Sequence, residues 1–165
     1  MKKQSITIAV VATLVLVAGV VWAASTNTAV SGKIVSATGT TEKMWIDDDL
    51  VLHVRGYVGQ ETLTGDLAGT IYATGYMNMD LTTGNGDQGG KLRFEGTWKG
   101  LTGTFEGSWS GPITGTFFDG KWVCKGSGDF AGMILRVDNY GWLTPPGAPF
   151  IEQYYEGYVH NPHGE

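Results

Sequence analysis

From residue 29 onward, apolar and polar side chains alternate along the chain, and no long stretch keeps apolar residues at helical spacing without a glycine interrupting it. Alternation with a period of two marks strands with one buried face. In "LVLHVRGYV", Leu50, Leu52, Val54 and Val58 share one side, against His53, Arg55 and Tyr57. In "IYATGYMNMDL", Ile71, Ala73, Met77 and Met79 oppose Tyr72, Thr74, Tyr76, Asn78 and Asp80. Leu92, Phe94 and Trp98 oppose Arg93, Glu95, Thr97 and Lys99, a face that belongs in water. Phe105, Gly107 and Trp109 alternate with Thr104, Glu106 and Ser108, and Trp122 and Cys124 stand between Lys121, Val123 and Lys125. The pattern predicts about eight strands, near 29–37, 44–46 running past a turn into 50–61, 66–82, 90–99, 102–110, 114–124, 129–138 and 150–160. Turn chemistry separates them: "DDD" at 47–49, "TTGNGDQGG" at 82–90, "KGLTG" at 99–103, "SGP" at 110–112 and "DG" at 119–120.

Strands joined this tightly are antiparallel neighbours. They bury their apolar stripes either by stacking two sheets or by closing into a barrel. Gly96 and Gly107 fall on the apolar face, where a sandwich would place bulk and a barrel uses missing side chains to bend. The expected fold is therefore a single antiparallel β-barrel of about eight strands with glycine-rich turns. A short echo supports closure: Gly-Asp-apolar-Ala-Gly occurs at 65–69 with Leu67 and again at 128–132 with Phe130. Each copy reads as a corner where a strand re-enters the wall, its glycine free to take positive φ and its Asp able to accept a backbone N–H. After the second copy, "MILRV" is apolar on both sides. A bulge at 126–128 puts Met133, Leu135 and Val137 inside and Arg136 in water; without one, Ile134 and Arg136 face inward together.

The N-terminus changes the picture of location. Two lysines precede an apolar run at 6–22, followed by Ala23, Ala24 and Ser25. That order reads as a secretory signal cut after Ala23, or else as a retained membrane anchor. Either way residues 24–165 form the folded domain, secreted or exposed at the cell envelope, with an aromatic and proline-rich C-terminal segment at 139–165. Removing 1–23 takes two of the 11 basic residues and none of the 16 acidic ones, which leaves a net charge of −7. Such a surface repels nucleic acid and anionic headgroups. Any membrane contact would run through an uncleaved N-terminal segment. One cysteine, Cys124, excludes an intramolecular disulfide.

The segments 94–111, "FEGTWKGLTGTFEGSWSG", and 124–132, "CKGSGDFAG", resemble the small antiparallel barrels related to allene oxide cyclase. That group includes plant dirigent proteins and bacterial secreted domains. The resemblance implies an eight-stranded barrel. The activities it brings are a cyclisation in one branch and guidance of radical coupling in another, and no functional residue of either branch maps onto this chain by motif.

Candidate chemistry is sparse, and no cofactor or metal is expected. His53 with the 47–49 acids, and His160 with His163, fall short of a metal-ligand set. Asp80, Asn85 and Asp87 lack the twelve-residue calcium-loop pattern. Glu95 and Glu106 face outward, and Cys124 on the apolar side reads as an inert thiol. The aromatics are the richest feature. Trp98, Phe105, Trp109 and Trp122 share inward parity and either pack a core or line an apolar cavity at the barrel mouth, with Arg136 the ionisable group to watch. The leading expectation is a non-catalytic barrel that binds an apolar small molecule or serves a surface role. The alternatives are a cyclase- or isomerase-like enzyme on an apolar substrate, and a subunit of an assembly or homo-oligomer that uses Trp142, Phe150, Tyr154, Tyr155 and Tyr158 as a lid, a last strand or a contact.

Overall fold

The computed structural model describes residues 25–144, 149–162 and 164, so the N-terminal signal or anchor segment and His163 lie outside the described residues. Nine strands follow one another: β1 Thr26–Thr40, β2 Lys43–Ile46, β3 Val51–Gly65, β4 Ala68–Asp80, β5 Gly86–Trp98, β6 Leu101–Thr114, β7 Phe117–Gly128, β8 Ile134–Trp142 and β9 Gln153–Asn161. All pairings are antiparallel, in the order β1-β9-β8-β7-β6-β5-β4-β3-β2, and an additional β1–β3 pairing closes the sheet into an eight-stranded barrel. β2 prolongs β1, because Thr40 opposite Val58 and Lys43 opposite Arg55 keep one register along β3. The C-terminal aromatics Tyr154, Tyr155 and Tyr158 belong to a stave of their own barrel, since β9 lies between β1 and β8.

Alternation is broken at two bulges. Between Val54 and Tyr57 the β3–β4 register shifts, with Gly56 at φ 63°. A left-handed residue of this kind suits glycine and inserts an extra position into the strand. The phase of β3 therefore flips: Val54 faces in, but so does Tyr57, while Val58 is 54% exposed. This corrects the expected single stripe through Leu50, Leu52, Val54 and Val58; Leu50 itself sits exposed in the 47–50 turn with φ 61°. The second bulge, at Val35 of β1, falls where that strand passes from pairing with β9 to pairing with β3 alone.

Two expected turns are strand. β6 runs straight through Ser110, Gly111 and Pro112, and β7 through Asp119 and Gly120; the chain reverses at Gly115, φ 64°. Pro112 is tolerated because the β6–β7 ladder is interrupted between Ser110 and Ile113, where no N–H is required of it.

The Gly-Asp-apolar-Ala-Gly echo is a repeated corner. Gly65 and Gly128 take positive φ, at 108° and 67°. Asp66 N–H donates to Ser31 O while its Oδ2 accepts Ser31 N–H at 2.8 Å. Asp129 does the same with Thr102, its N–H to Thr102 O and its Oδ2 accepting Thr102 N–H at 3.1 Å. Each aspartate thus ties both backbone groups of a residue on a neighbouring strand, and Leu67 and Phe130 enter the core fully buried. Met133, Leu135 and Val137 follow inward and Arg136 is exposed on the outer wall, but the turn at 129–133 sets that phase and the expected bulge at 126–128 is absent, since the β6–β7 register runs unbroken there.

These corners and the 99–100 turn share one end of the barrel; the turns at 47–50, 81–85 and 115–116, with residues 143–144 and 149–152, share the other. The first end is packed solid by Ile34, Leu67, Trp98, Phe105 and Phe130, with the Phe105 and Phe130 rings stacked at 4.7 Å. Tyr155 bridges the seam there. Its hydroxyl accepts Leu67 N–H at 2.9 Å and lies 3.1 Å from both Thr64 O and Leu67 O, with its one proton to donate between them. Tyr155→Phe strips the buried Leu67 N–H of its partner and is expected to cost about 1–3 kcal/mol of unfolding free energy, read by denaturant titration, with the fold retained.

Candidate functional site

The other half of the barrel is hollow, for a reason visible in side-chain size. On neighbouring staves β1, β3, β4 and β5 the inward positions include Ala37, Gly39, Gly59, Ala73, Gly75 and Gly90, which stand beside one another in the ladder. Little fills the space above them. Tyr57 lies across Gly59 and Gly39, where an added Cβ at either would collide with its ring. Trp109 lies against Gly75, its Nε1–H donating to Thr74 O at 3.3 Å. The result is a cavity of about 480 Å³ open at the mouth, within the range of small-molecule sites.

Its walls are mainly apolar. Ile71, Leu92, Trp109, Phe118 and Trp122 line the interior, and Phe150 packs in at the rim. Gln88, Asn139 and Gln153 supply polar edges. Asn139 is buried, with its amide N–H donating to Tyr154 O at 3.1 Å, so its carbonyl oxygen remains for another partner. At the rim, Met44, Ile46, Leu50 and Leu81 leave apolar surface exposed.

Among the described residues, the wall's one acidic side chain is Glu61. The flip at Gly56 turns it inward, between Ala37 on β1 and Ile71 on β4, four residues from the packed end of β3. Among the described residues no group donates a hydrogen bond to its carboxyl and no cation lines the cavity. The residue is half-buried, and desolvation pushes its carboxyl up to about 7. Burial and, after it, the Glu61 charge push the Tyr57 phenol up to about 12.

The five residues singled out from sequence separate. Trp109 and Trp122 line the cavity; Trp98 and Phe105 are packed into the closed end; Arg136 is on the outer surface and takes no part. Trp122 forms part of the floor, stacked on Tyr155 at 6.1 Å. Glu61 was missed because simple alternation from Leu50 puts it outside. The available signal was Leu63, an apolar residue on the opposite phase among Thr62 and Thr64, downstream of Gly56.

A second cluster occupies the outer wall. Trp45, His53, Asn78 and Asp87 stand in one cross-strand row over β2, β3, β4 and β5. His53 faces two acceptors, Asp47 Oδ2 at 2.8 Å and Asn78 Oδ1 at 2.9 Å, and Trp45 stacks on its ring at 4.8 Å. Both ring nitrogens are occupied, and no metal-binding group of three or more ligands exists among the described residues. Asp80 caps its own turn through Thr82 and Thr83, and Arg93 bridges Glu95 and Glu106 on the surface. Cys124 is buried, its thiol pushed up to about 12 by desolvation, as an inert thiol requires.

No family model matches the chain, and no curated protein matches it. Among solved structures it superposes on a protein with unknown function from the DUF3224 family of Shewanella oneidensis MR-1, with TM-score 0.62 and 19% identity, over 82% of this chain and 98% of that one. At that identity the likeness establishes the fold, a small antiparallel barrel.

Two titrations check this geometry. An acid whose folded pKa is raised binds more protons when native, so its stabilising contribution is complete below the ordinary value of 4.5 and is lost as pH rises to about 7. Wild type is therefore expected to lose stability relative to Glu61→Gln across that window, with the difference levelling off above it, in denaturant melts at matched pH. His53, with the Asp47 hydrogen bond first and Asn78 second, is raised above 6.5. Its ring protons in an NMR titration should show a midpoint above that value, and Asn78→Ala should bring the midpoint down.

Proposed function

We propose that the mouth of this barrel binds a small, largely apolar molecule, and that the chain does so outside the cytoplasm after export through its N-terminal segment. The observation that supports binding is the division of one interior into a packed half and a hollow half. Small residues at adjacent inward positions keep open a space that larger side chains would fill, and cavities of this size lined by aromatics with a few polar groups are what small ligands use. The apolar rim residues give such a molecule a path of entry.

Glu61 favours a second reading, a cyclase- or isomerase-like barrel. A carboxyl near neutrality in an apolar space is able to take and return a proton at pH 7. The resemblance of residues 94–111 and 124–132 to allene oxide cyclase-like barrels belongs with this alternative. Binding stands first because, among the described residues, no cation lines the cavity to steady a negative charge developing on substrate.

The test is a titration of the exported protein with Nile red, a neutral dye that brightens in apolar surroundings. One saturable site is expected, with energy transfer from tryptophan, and Ala73→Phe should abolish it while the melting transition persists. Dye binding unaltered by Ala73→Phe would place the site elsewhere. Native mass spectrometry of the same material should give a mass starting at Ala24.

A further inference from the structure

The chemistry of the cavity narrows its ligand, given the small-molecule reading above. Glu61 is a carboxyl without a counter-ion. The groups opposite it in the ladder are Ala37 and Ile71; Leu92, Phe118 and Trp122 line the same space, and the Tyr57 phenol lies near enough to feel the Glu61 charge. Tyr57 is the other titratable side chain turned into the space, since the Tyr76 phenol is drawn outward to Asp87 beneath the Arg55 guanidinium, and no Asp, Lys, Arg or His belongs to the lining among the described residues. The neighbouring lysines and arginines are spent outside: Lys33 pairs with Glu152, Arg93 with Glu95 and Glu106, and Lys121 with Asp138.

A charge buried among apolar walls is tolerated when a partner arrives with the opposite sign. Around this carboxyl the walls are also aromatic: Tyr57, Trp109 and Trp122 line the same space. Aromatic faces attract cations through their quadrupoles, most strongly where water is excluded, and alkylammonium groups are the usual guests. The net charge of −5 adds a field that draws cations toward the barrel. We infer that the ligand is a lipophilic organic cation, an amine or quaternary ammonium, whose charged head rests against Glu61 at the bottom of the cavity while its apolar body fills the space toward the rim.

This arrangement couples binding to protonation. A cation stabilises the carboxylate form of Glu61, so its affinity rises with pH until Glu61 is fully ionised and is constant thereafter. A neutral molecule of the same shape gains nothing from that ionisation.

The experiment uses a pair of isosteres, phenyltrimethylammonium and tert-butylbenzene, each displacing Nile red from the full-length protein. The quaternary nitrogen carries no titrating proton, so any pH dependence belongs to the protein. In wild type the cation should bind on the order of tenfold more tightly at pH 8 than at pH 5.5, and the neutral isostere should not tighten over that interval. Glu61→Gln should weaken the cation on the order of tenfold at pH 8 and remove its pH dependence. Should the variant not fold, the wild-type pH profiles of the two isosteres decide alone. Nile red binding accompanied by a cation affinity indifferent to pH overturns this inference and leaves the small-molecule reading standing. Failure of wild type to bind the dye or either isostere overturns both.

Discussion

A sheet that curls onto itself has to satisfy its first and last edges at a single seam, and here that seam is β1 against β3. Gly32 stands opposite Gly65, and an added Cβ at Gly32 would meet Thr64 O and the Tyr155 hydroxyl. Asp66 holds Ser31 by both backbone groups from one side, and Tyr155 holds Leu67 by both of its backbone groups from within. Backbone groups that would be an open edge are paired, and the interior becomes a volume shared by all the staves. Everything inside depends on it, since neither the packed end nor the hollow one exists in an open sheet.

Within that closed volume, residue size distributes density. Large rings, Trp98, Phe105 and Phe130, converge at the end that carries the aspartate corners and supply tight apolar burial. Toward the mouth, alanine and glycine occupy adjacent inward positions, and the few large side chains lie flat against the wall. The same half keeps a carboxyl in surroundings that disfavour its charge. Cavities and unpaired acids both lower stability, and such groups cluster at functional sites. Their coincidence in one half, beside a well-packed one, makes the hollow part of the design of the interior.

Much of this was legible in the sequence. Alternation in the stretches around Ile71, Leu92, Phe105 and Trp122 carried the strands, and tight turns between them carried the antiparallel order. The two Gly-Asp corners were readable because a glycine before an aspartate is strong local chemistry. Their partners, Ser31 and Thr102, were not readable, since they come from distant chain. Phase was the weak point. Glycine marks both bulges and smooth bends, so Gly56 gave no warning that the residues after it change sides, and Glu61 was lost with them. At 110–112 and 119–120 turn-type residues occur in strands, because a gap in a ladder removes the need for an N–H just as a turn does. The hollow itself depends on which small residues become neighbours across four strands, and one-dimensional pattern does not show that.

The alternating direction of the staves has a consequence for how the molecule is held. β1 begins and β9 finishes at the packed end, while the cavity opens beside the turns at the opposite end. The described chain therefore begins on the side remote from the opening. An attachment made at Ser25 would sit at the base of the cup and not at its lip.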